Sequence, residues 1–240
     1  MTLRVVVVYP DLLGTYGDGG NGLVLARRAE WRGIEAELIQ APSDAPLPRG
    51  DLYCLGGGED GPQAQAADAL RRDGTLAAAV ADGAVVLAVC AGFQIVGNSF
   101  PSAAGDTLDG LGLLDIDTAK GVGPRAVGEL VAQPSDWELP TLTGFENHAG
   151  TTALGGGVRP LAAVEQGVGN GGGDHSEGAW SGRLVGTYLH GPVLARNPAL
   201  ADVLIGWATE VDTLAPLDDE REMLLRSERL GAARGARRRR

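Results

Sequence analysis

The stretch GAVVLAVCAGFQIVGN, residues 83–98, decides the fold. Its apolar run from Ala84 to Val89 reaches a single cysteine, Cys90, flanked by the small residues Ala88, Ala91 and Gly92, and opens directly into a second apolar pattern at Phe93, Ile95 and Val96. That order predicts a buried strand, a tight turn and a helix. A thiol at such a turn stands above the C-terminal edge of a sheet, beside a helix N-terminus whose partial positive charge favours the thiolate. It is the cysteine counterpart of the strand-turn-helix elbow that lifts a serine in G-x-S-x-G enzymes, with Ala88 in place of the first glycine. Free cysteine is also among the most buried residue types, so from this stretch alone a structural thiol stays open.

Working outward, residues 3–9 (LRVVVVY), 35–39 (EAELI) and 51–55 (DLYCL) read as strands. Helical patterns follow the first at GLVLARRAEWRG and the third at about 63–82, the latter interrupted at Gly74. Asp18 and Asn21 stand where helix caps are wanted, and capping is the expected role of both ahead of a direct functional one. Three strands alternating with helices, then the Cys90 strand, predict an α/β fold with a mostly parallel sheet flanked by helices. Ligands of such sheets bind off the carboxyl ends of the strands, where Gly56–Gly58 and Cys90 both fall. Unhindered backbone N–H groups in a glycine run can approach an oxyanion closely, so Gly57 and Ala91 are the expected donors. From about Pro101, patches at 126–132, 142–145 and 158–164 separated by glycines predict additional short, partly antiparallel strands. Residues 167–178 (GVGNGGGDHSEG) read as a flexible loop or hairpin tip, 183–189 as a strand running into His190, and 198–210 as a helix. The expected division is a main domain over 1–212 and an appendage over 213–240, with a helical segment near 218–230 and a disordered basic end.

Composition narrows the function. The chain has 240 residues, 44% of them hydrophobic but only 5% aromatic, so Val, Leu, Ala and Ile must build the core. Net charge is −11, yet the segment from Arg226 holds seven arginines and one glutamate; removing that excess leaves −17 on residues 1–225. Such an acidic body argues against nucleic-acid binding. No apolar stretch reaches the length of a membrane span and no signal-peptide layout opens the chain, so a cytoplasmic location is expected. Cys54 and Cys90 are expected to be free thiols, and cysteines and histidines are not clustered at metal-ligand spacings. Lys120 is the only lysine and no phosphate-binding G-x-x-x-x-G-K-[ST] loop exists, so ATP, if used, is expected on another chain. Cys90 needs a base. His190 ends an apolar strand as Cys90 does, His175 lies in a polar glycine-rich loop, and His148 in TGFENHAG is the rival; His190 is favoured.

VCAGFQ, the upstream LGGGED, GFENH and the late GTYLHG together resemble a class I glutamine amidotransferase domain of the cobyric acid synthase subtype. The N-terminal YPDLLGTYGDGGN is similar to the glutaminase subunits of lipid II isoglutaminyl synthases, over roughly residues 3–210. The resemblance implies that Cys90 attacks the side-chain amide of L-glutamine, that His190 is base and acid, and that backbone around Gly57 and Ala91 supports the oxyanion. It further implies that Gln94 and Gly56 contact glutamine and that Arg125 holds its α-carboxylate. The freed ammonia would pass to a MurT-like Mur ligase subunit, which forms a heterodimer with the glutaminase, carries ATP and Mg, and amidates the D-glutamate of lipid II; this chain itself would hold no cofactor. Many class I amidotransferases carry a glutamate two residues after the histidine, and here that position is Pro192. The subtype commonly lacks that glutamate too, and Glu146 is the one acid nominated in its place. Alternatives are a subunit serving a cobyrinate-type carboxylate, and a catalytically silent scaffold. The arginine tail is expected either to touch an anionic membrane surface peripherally or to be solvated.

Overall fold

A computed structural model describes residues 2–237. In chain order the first half contains β1 (Leu3–Val8), α1 (Gly20–Glu30), β2 (Ala36–Ala41), β3 (Leu52–Leu55), α2 (Asp60–Asp73), α3 (Thr75–Ala81), β4 (Val85–Val89) and α4 (Ala91–Val96). Gly74, at φ 71°, makes the expected break between α2 and α3. Short strands follow: β5 (Ser99–Pro101), β6 (Thr107–Asp109), β7 (Ile116–Lys120), β8 (Ala126–Pro134), β9 (Leu142–His148), β10 (Gly150–Leu154), β11 (Ala162–Gln166), β12 (Ser176–Glu177) and β13 (Ala179–Ser181). The chain closes with β14 (Leu184–Thr187), α5 (Val193–Arg196), α6 (Pro198–Thr209) and α7 (Glu220–Arg237).

The central sheet has the order β13-β14-β4-β3-β1-β2, parallel throughout except for the antiparallel pair β13–β14. Near-continuous Val and Leu runs suit strands covered on both faces, and every residue of β3 and β4 is buried. From β1 the chain goes first to one neighbour, β2, and then to the other, β3. Because βαβ crossovers are right-handed, these two directions place α1 and α2–α3 on opposite faces. The reversal opens a crevice at the carboxyl ends of β1 and β3, where open α/β sheets take their ligands.

Two four-stranded sheets, β10-β7-β5-β6 and β12-β11-β8-β9, account for the antiparallel second half. An isolated bridge from Phe145 on β9 to His190, just past β14, ties the second of these to the central sheet.

Two expectations need correction. The 167–178 stretch is the tip and return of a β11–β12 hairpin, one of its two expected readings, and not a flexible loop: Asn170 and Glu177 are at 0% exposure, and Ser176–Glu177 pairs with β11. Asn170 donates to Ser176 Oγ and to the Gly178 carbonyl, so its ends are pulled into the core by hydrogen bonds that composition does not reveal. The terminal helix does not stop near 230 but runs into the stretch expected to be disordered. Ala233 is buried, Arg226 donates to Asn197 Oδ1 at 2.7 Å, and Arg234 pairs with Glu165 at 3.0 Å. Residues 238–240 of that tail lie outside the described residues.

Candidate active site

Four adjacent strands end at one edge, and each delivers one residue. The loop after β1 carries Asp18, the glycine run after β3 carries Gly57, the turn after β4 is Cys90, and the segment after β14 carries His190. Cys90 adopts φ 53° and ψ −106°, a conformation a non-glycine residue holds only under strain of about 1–3 kcal/mol, the kind of strain that collects at functional sites. Tight surroundings enforce it. A side chain at Gly92 would come within 2.7 Å of Leu55 Cβ, and Gly92 N–H donates to the Gly56 carbonyl. Cys90 N–H in turn donates to the Thr187 carbonyl at 2.9 Å.

Asp18 is the principal surprise. Its Oδ2 lies 2.8 Å from His190 Nδ1 and accepts the Gly57 N–H at 2.9 Å, with Asp18 at 1% exposure. The capping expectation is therefore wrong: α1 has no side-chain cap, and Asn21 Oδ1 instead accepts the Leu194 N–H. Pro192, at the position where a glutamate would stand, packs against Gly20 in the first turn of α1, and this contact helps dock the Asp18 loop on the histidine. Glu146, nominated as the orienting acid, is engaged elsewhere: it accepts the N–H groups of Val168 and Gly169. Burial disfavours the His190 imidazolium, but the hydrogen bond to Asp18, with help from Cys90, outweighs it and pushes the His190 pKa up to about 10. His190 Nε2 is buried and has no hydrogen-bond partner among the described residues, which leaves it free for the Cys90 sulfur.

Gly57 also changes role. Its N–H is committed to Asp18, so it cannot be the expected oxyanion donor. It must be glycine for another reason, since a Cβ there would lie 2.9 Å from His190 Cε1 and 3.2 Å from Asp18 Oδ2. Gly56, expected at the substrate, is buried instead, where a Cβ would meet the Leu13 carbonyl at 2.2 Å. The residues lining the cleft at Cys90, a cavity of about 110 Å³, include Gly58, Ala91, Gln94, Lys120, Arg125 and Asn147. Ala91, Gln94 and Arg125 line the cleft, as does Gly58. A groove of about 1050 Å³ beside β8, β11 and α7 is far larger, yet it lacks the nucleophile and meets the cleft only at Arg125.

The cleft is lined by fixed polar groups. Gln94 accepts from Gln63 Nε2 at 2.8 Å and donates to the Tyr188 hydroxyl at 3.1 Å. Arg125 donates to both Asn147 Oδ1 and the Asn147 carbonyl, and Asn147 Nδ2 donates to the Tyr16 hydroxyl at 2.6 Å. The Tyr16 ring lies 4.8 Å from that of His190, covering the imidazole. His148, the rival base, is stacked on Tyr188 at 3.7 Å with Nδ1 on the Gly150 carbonyl. His175 is exposed, as expected. Cys54 is a buried free thiol pushed up to about 12 by desolvation, inert by comparison with Cys90. No cluster of potential metal ligands occurs among the described residues. Asp18, Gln63, Asn147 and Tyr16 were not singled out as functional from sequence; the acid in a glycine-rich loop after β1 was the one legible hint.

A thiol raised from the end of a parallel sheet, next to a histidine held by a buried carboxylate, is the equipment of a cysteine-dependent acyl-transfer enzyme. The chain belongs to the CobB/CobQ-like glutamine amidotransferase family, whose domain matches residues 4–198. It is 34% identical over 206 residues to the lipid II isoglutaminyl synthase (glutamine-hydrolyzing) subunit GatD of Streptococcus pneumoniae, covering 85% of this chain and 79% of that protein. The GatD of Staphylococcus aureus is 36% identical over 203 residues, 83% and 82% of the two chains. A cobyric acid synthase from Pelotomaculum thermopropionicum is 38% identical over 141 residues, but these are 54% of this chain and 26% of its own length. Among solved structures, a glutamine amidotransferase superposes with a TM-score of 0.60 at 20% identity, over 85% of this chain and 98% of that one, a likeness of fold.

Proposed function

We propose that this chain is the glutamine-hydrolysing subunit of a lipid II isoglutaminyl synthase. The observation that carries the chemistry is Cys90 on its strained elbow beside His190, with Asp18 holding Nδ1 at 2.8 Å. In this reading the thiol proton has passed from Cys90 Sγ to His190 Nε2, whose raised pKa favours the imidazolium, and the sulfur then attacks the side-chain carbonyl carbon of L-glutamine. Charge develops on the carbonyl oxygen, and the N–H groups of Gly58 and Ala91, which both line the cleft, are the donors placed to receive it. Collapse of the tetrahedral adduct breaks the C–N bond, His190 returns the proton to the departing ammonia, and a γ-glutamyl thioester remains for water to cleave. Asp18 keeps the proton on Nδ1 and stabilises the imidazolium between these steps. Arg125, released from Asn147, supplies a planar fork for the substrate α-carboxylate, and Gln94 contacts the same end of the molecule.

Ammonia is then passed to a MurT-like Mur ligase partner that uses ATP and Mg to activate the D-glutamate carboxyl of lipid II and form D-isoglutamine. The match over 79% and 82% of two GatD subunits favours this acceptor over a cobyrinate-type carboxylate, for which the match is confined to 26% of a longer enzyme. A silent scaffold has no physical need for the strained thiol and the carboxylate-held histidine. No described helix is long and apolar enough to cross a membrane, which suits the cytoplasmic heterodimer proposed here. The test is ammonia and glutamate release from L-glutamine by the full chain alone, then with the Mur ligase subunit, lipid II and ATP. Turnover lost in Cys90→Ala and coupled to lipid II amidation is expected. Turnover indifferent to lipid II would redirect the acceptor, and no release under either condition would overturn the enzyme reading.

A further inference from the structure

Cys90 and His190 leave the sheet on neighbouring strands, and the ladder that holds those strands together stops at the pair Thr187–Val89. Beyond it the chain must cross from the sheet to His190 with its N–H groups satisfied by other means. Tyr188 N–H donates to Glu177 Oε1 at 2.9 Å, Leu189 N–H to Thr187 Oγ1 at 3.0 Å, and His190 N–H to the Phe145 carbonyl at 2.8 Å. The Thr187 hydroxyl donates to the same Glu177 oxygen. One carboxylate oxygen therefore anchors the first residue of the crossing and orients the hydroxyl that anchors the second. The crossing is also tied to the nucleophile, since the Thr187 carbonyl accepts the Cys90 N–H, and to the cleft wall, since the Tyr188 hydroxyl accepts from Gln94.

We propose that Glu177 is a positioning residue for glutamine hydrolysis: its carboxylate fixes the Thr187–Leu189 crossing and thereby sets His190 against Cys90. This rests on the glutaminase reading above. Glu177 is at 0% exposure and its second oxygen has no partner, a costly placement for a group whose only duty is to fill space. The titratable groups facing it are Glu146 and His148 from β9, while its paired strand β11 presents Ala162 and Ala163. Burial, partly offset by the bonds from Thr187 and Tyr188, pushes the Glu177 carboxyl up to about 7. Its charge thus changes in the neutral range, and an ionised acceptor binds these two donors more strongly than a neutral one.

The test uses the full chain with two readouts: hydrolysis of L-glutamine, and covalent capture of Cys90 by a diazoketone analogue of glutamine followed by mass spectrometry. In Glu177→Leu the capture rate and kcat fall at least ~30-fold while KM stays within about twofold, because misplacement of the base spares ground-state binding. Glu177→Gln keeps an acceptor in place, so at pH 8 it recovers to within about threefold of wild type and loses the rising limb near neutral pH. A folded Leu variant captured at the wild-type rate overturns the proposal, as does a Gln variant that keeps the limb. Should the Leu variant not fold, Thr187→Val replaces it, and an unchanged capture rate there overturns the proposal equally. A wild-type chain that neither hydrolyses glutamine nor takes up the analogue overturns the glutaminase reading instead, so the two failures are told apart by that control.

Discussion

At the scale of the residue, catalysis depends on a few contacts with no slack. Asp18→Asn is nearly isosteric but its amide can present N–H to His190 Nδ1 and stabilise the wrong tautomer; kcat should fall by ~10²–10⁴, with little change in KM. The same change has a signature in stability. A folded-state pKa of about 10 against an ordinary 6.5 means that the His190 pair contributes stability fully below pH 6.5 and loses it as pH rises toward 10. In Asp18→Asn that slope between pH 6.5 and 10 should vanish from urea unfolding midpoints, and the imidazole should titrate lower by NMR. Gly57→Ala probes the packing side, since its methyl would press on His190 Cε1 at 2.9 Å. A loss of ~10²-fold in kcat, with the circular dichroism of wild type, is expected. Both substitutions act on the same edge of one histidine, where Gly57 N–H and Asp18 are themselves hydrogen-bonded, so their effects should be far from additive.

At the scale of the element, α7 shows how tertiary contacts override composition. Asn197 at the start of α6 accepts Thr143 N–H and Arg226, and donates to the carbonyls of Thr143 and Val193, joining β9, α5, α6 and α7 through one side chain. Arg226 is buried there, and desolvation lowers its pKa. Arg226→Ala removes the anchor, leaves less to hold the helix, and should cost about 2–3 kcal/mol with faster proteolysis between 210 and 220. Deleting 232–240 is milder. It removes the buried Ala233 and the half-exposed Arg234–Glu165 pair, worth at most about 1 kcal/mol, and none of its described residues lines the Cys90 cleft. Glutamine turnover should be unchanged while the melting temperature falls by a few degrees; a large loss of turnover would place the tail in the site.

At the scale of the whole molecule, the segment between α6 and α7 is pinned by charge. Arg28 on α1, 3% exposed, forms paired hydrogen bonds to Asp202 and Asp219, and Arg32 adds a third bond to Asp202 at 2.8 Å. Arg28 holds the Asp219 carboxyl below its ordinary value. A depressed carboxylate contributes stability above its unfolded pKa, near 3.8, that is lost as pH falls through the folded value. Arg28→Met should therefore destabilise by about 3 kcal/mol at neutral pH and flatten acid unfolding below pH 4, read by thermal melts across pH.

The sequence by itself determined the parallel sheet, the Cys90 elbow and His190, because these are written in local runs: apolar strands, small residues at a turn, a strand ending in His-Gly-Pro. The free thiols, the break at Gly74 and the cleft positions of Ala91, Gln94 and Arg125 were legible for the same reason. Only the tertiary structure decided which acid serves His190, since Asp18 stands 172 residues away and resembles a helix cap until β1 and β14 are brought to one edge. It likewise committed the Gly57 N–H to Asp18 and packed Gly56 against Leu13, drew Glu177 out of a glycine-rich stretch into the core, and extended α7 along β8 and β11. Each of these turns on how a buried polar group finds its partner. Local patterns record which segments are buried, but hydrogen-bond partners across the fold are fixed only when distant strand ends meet.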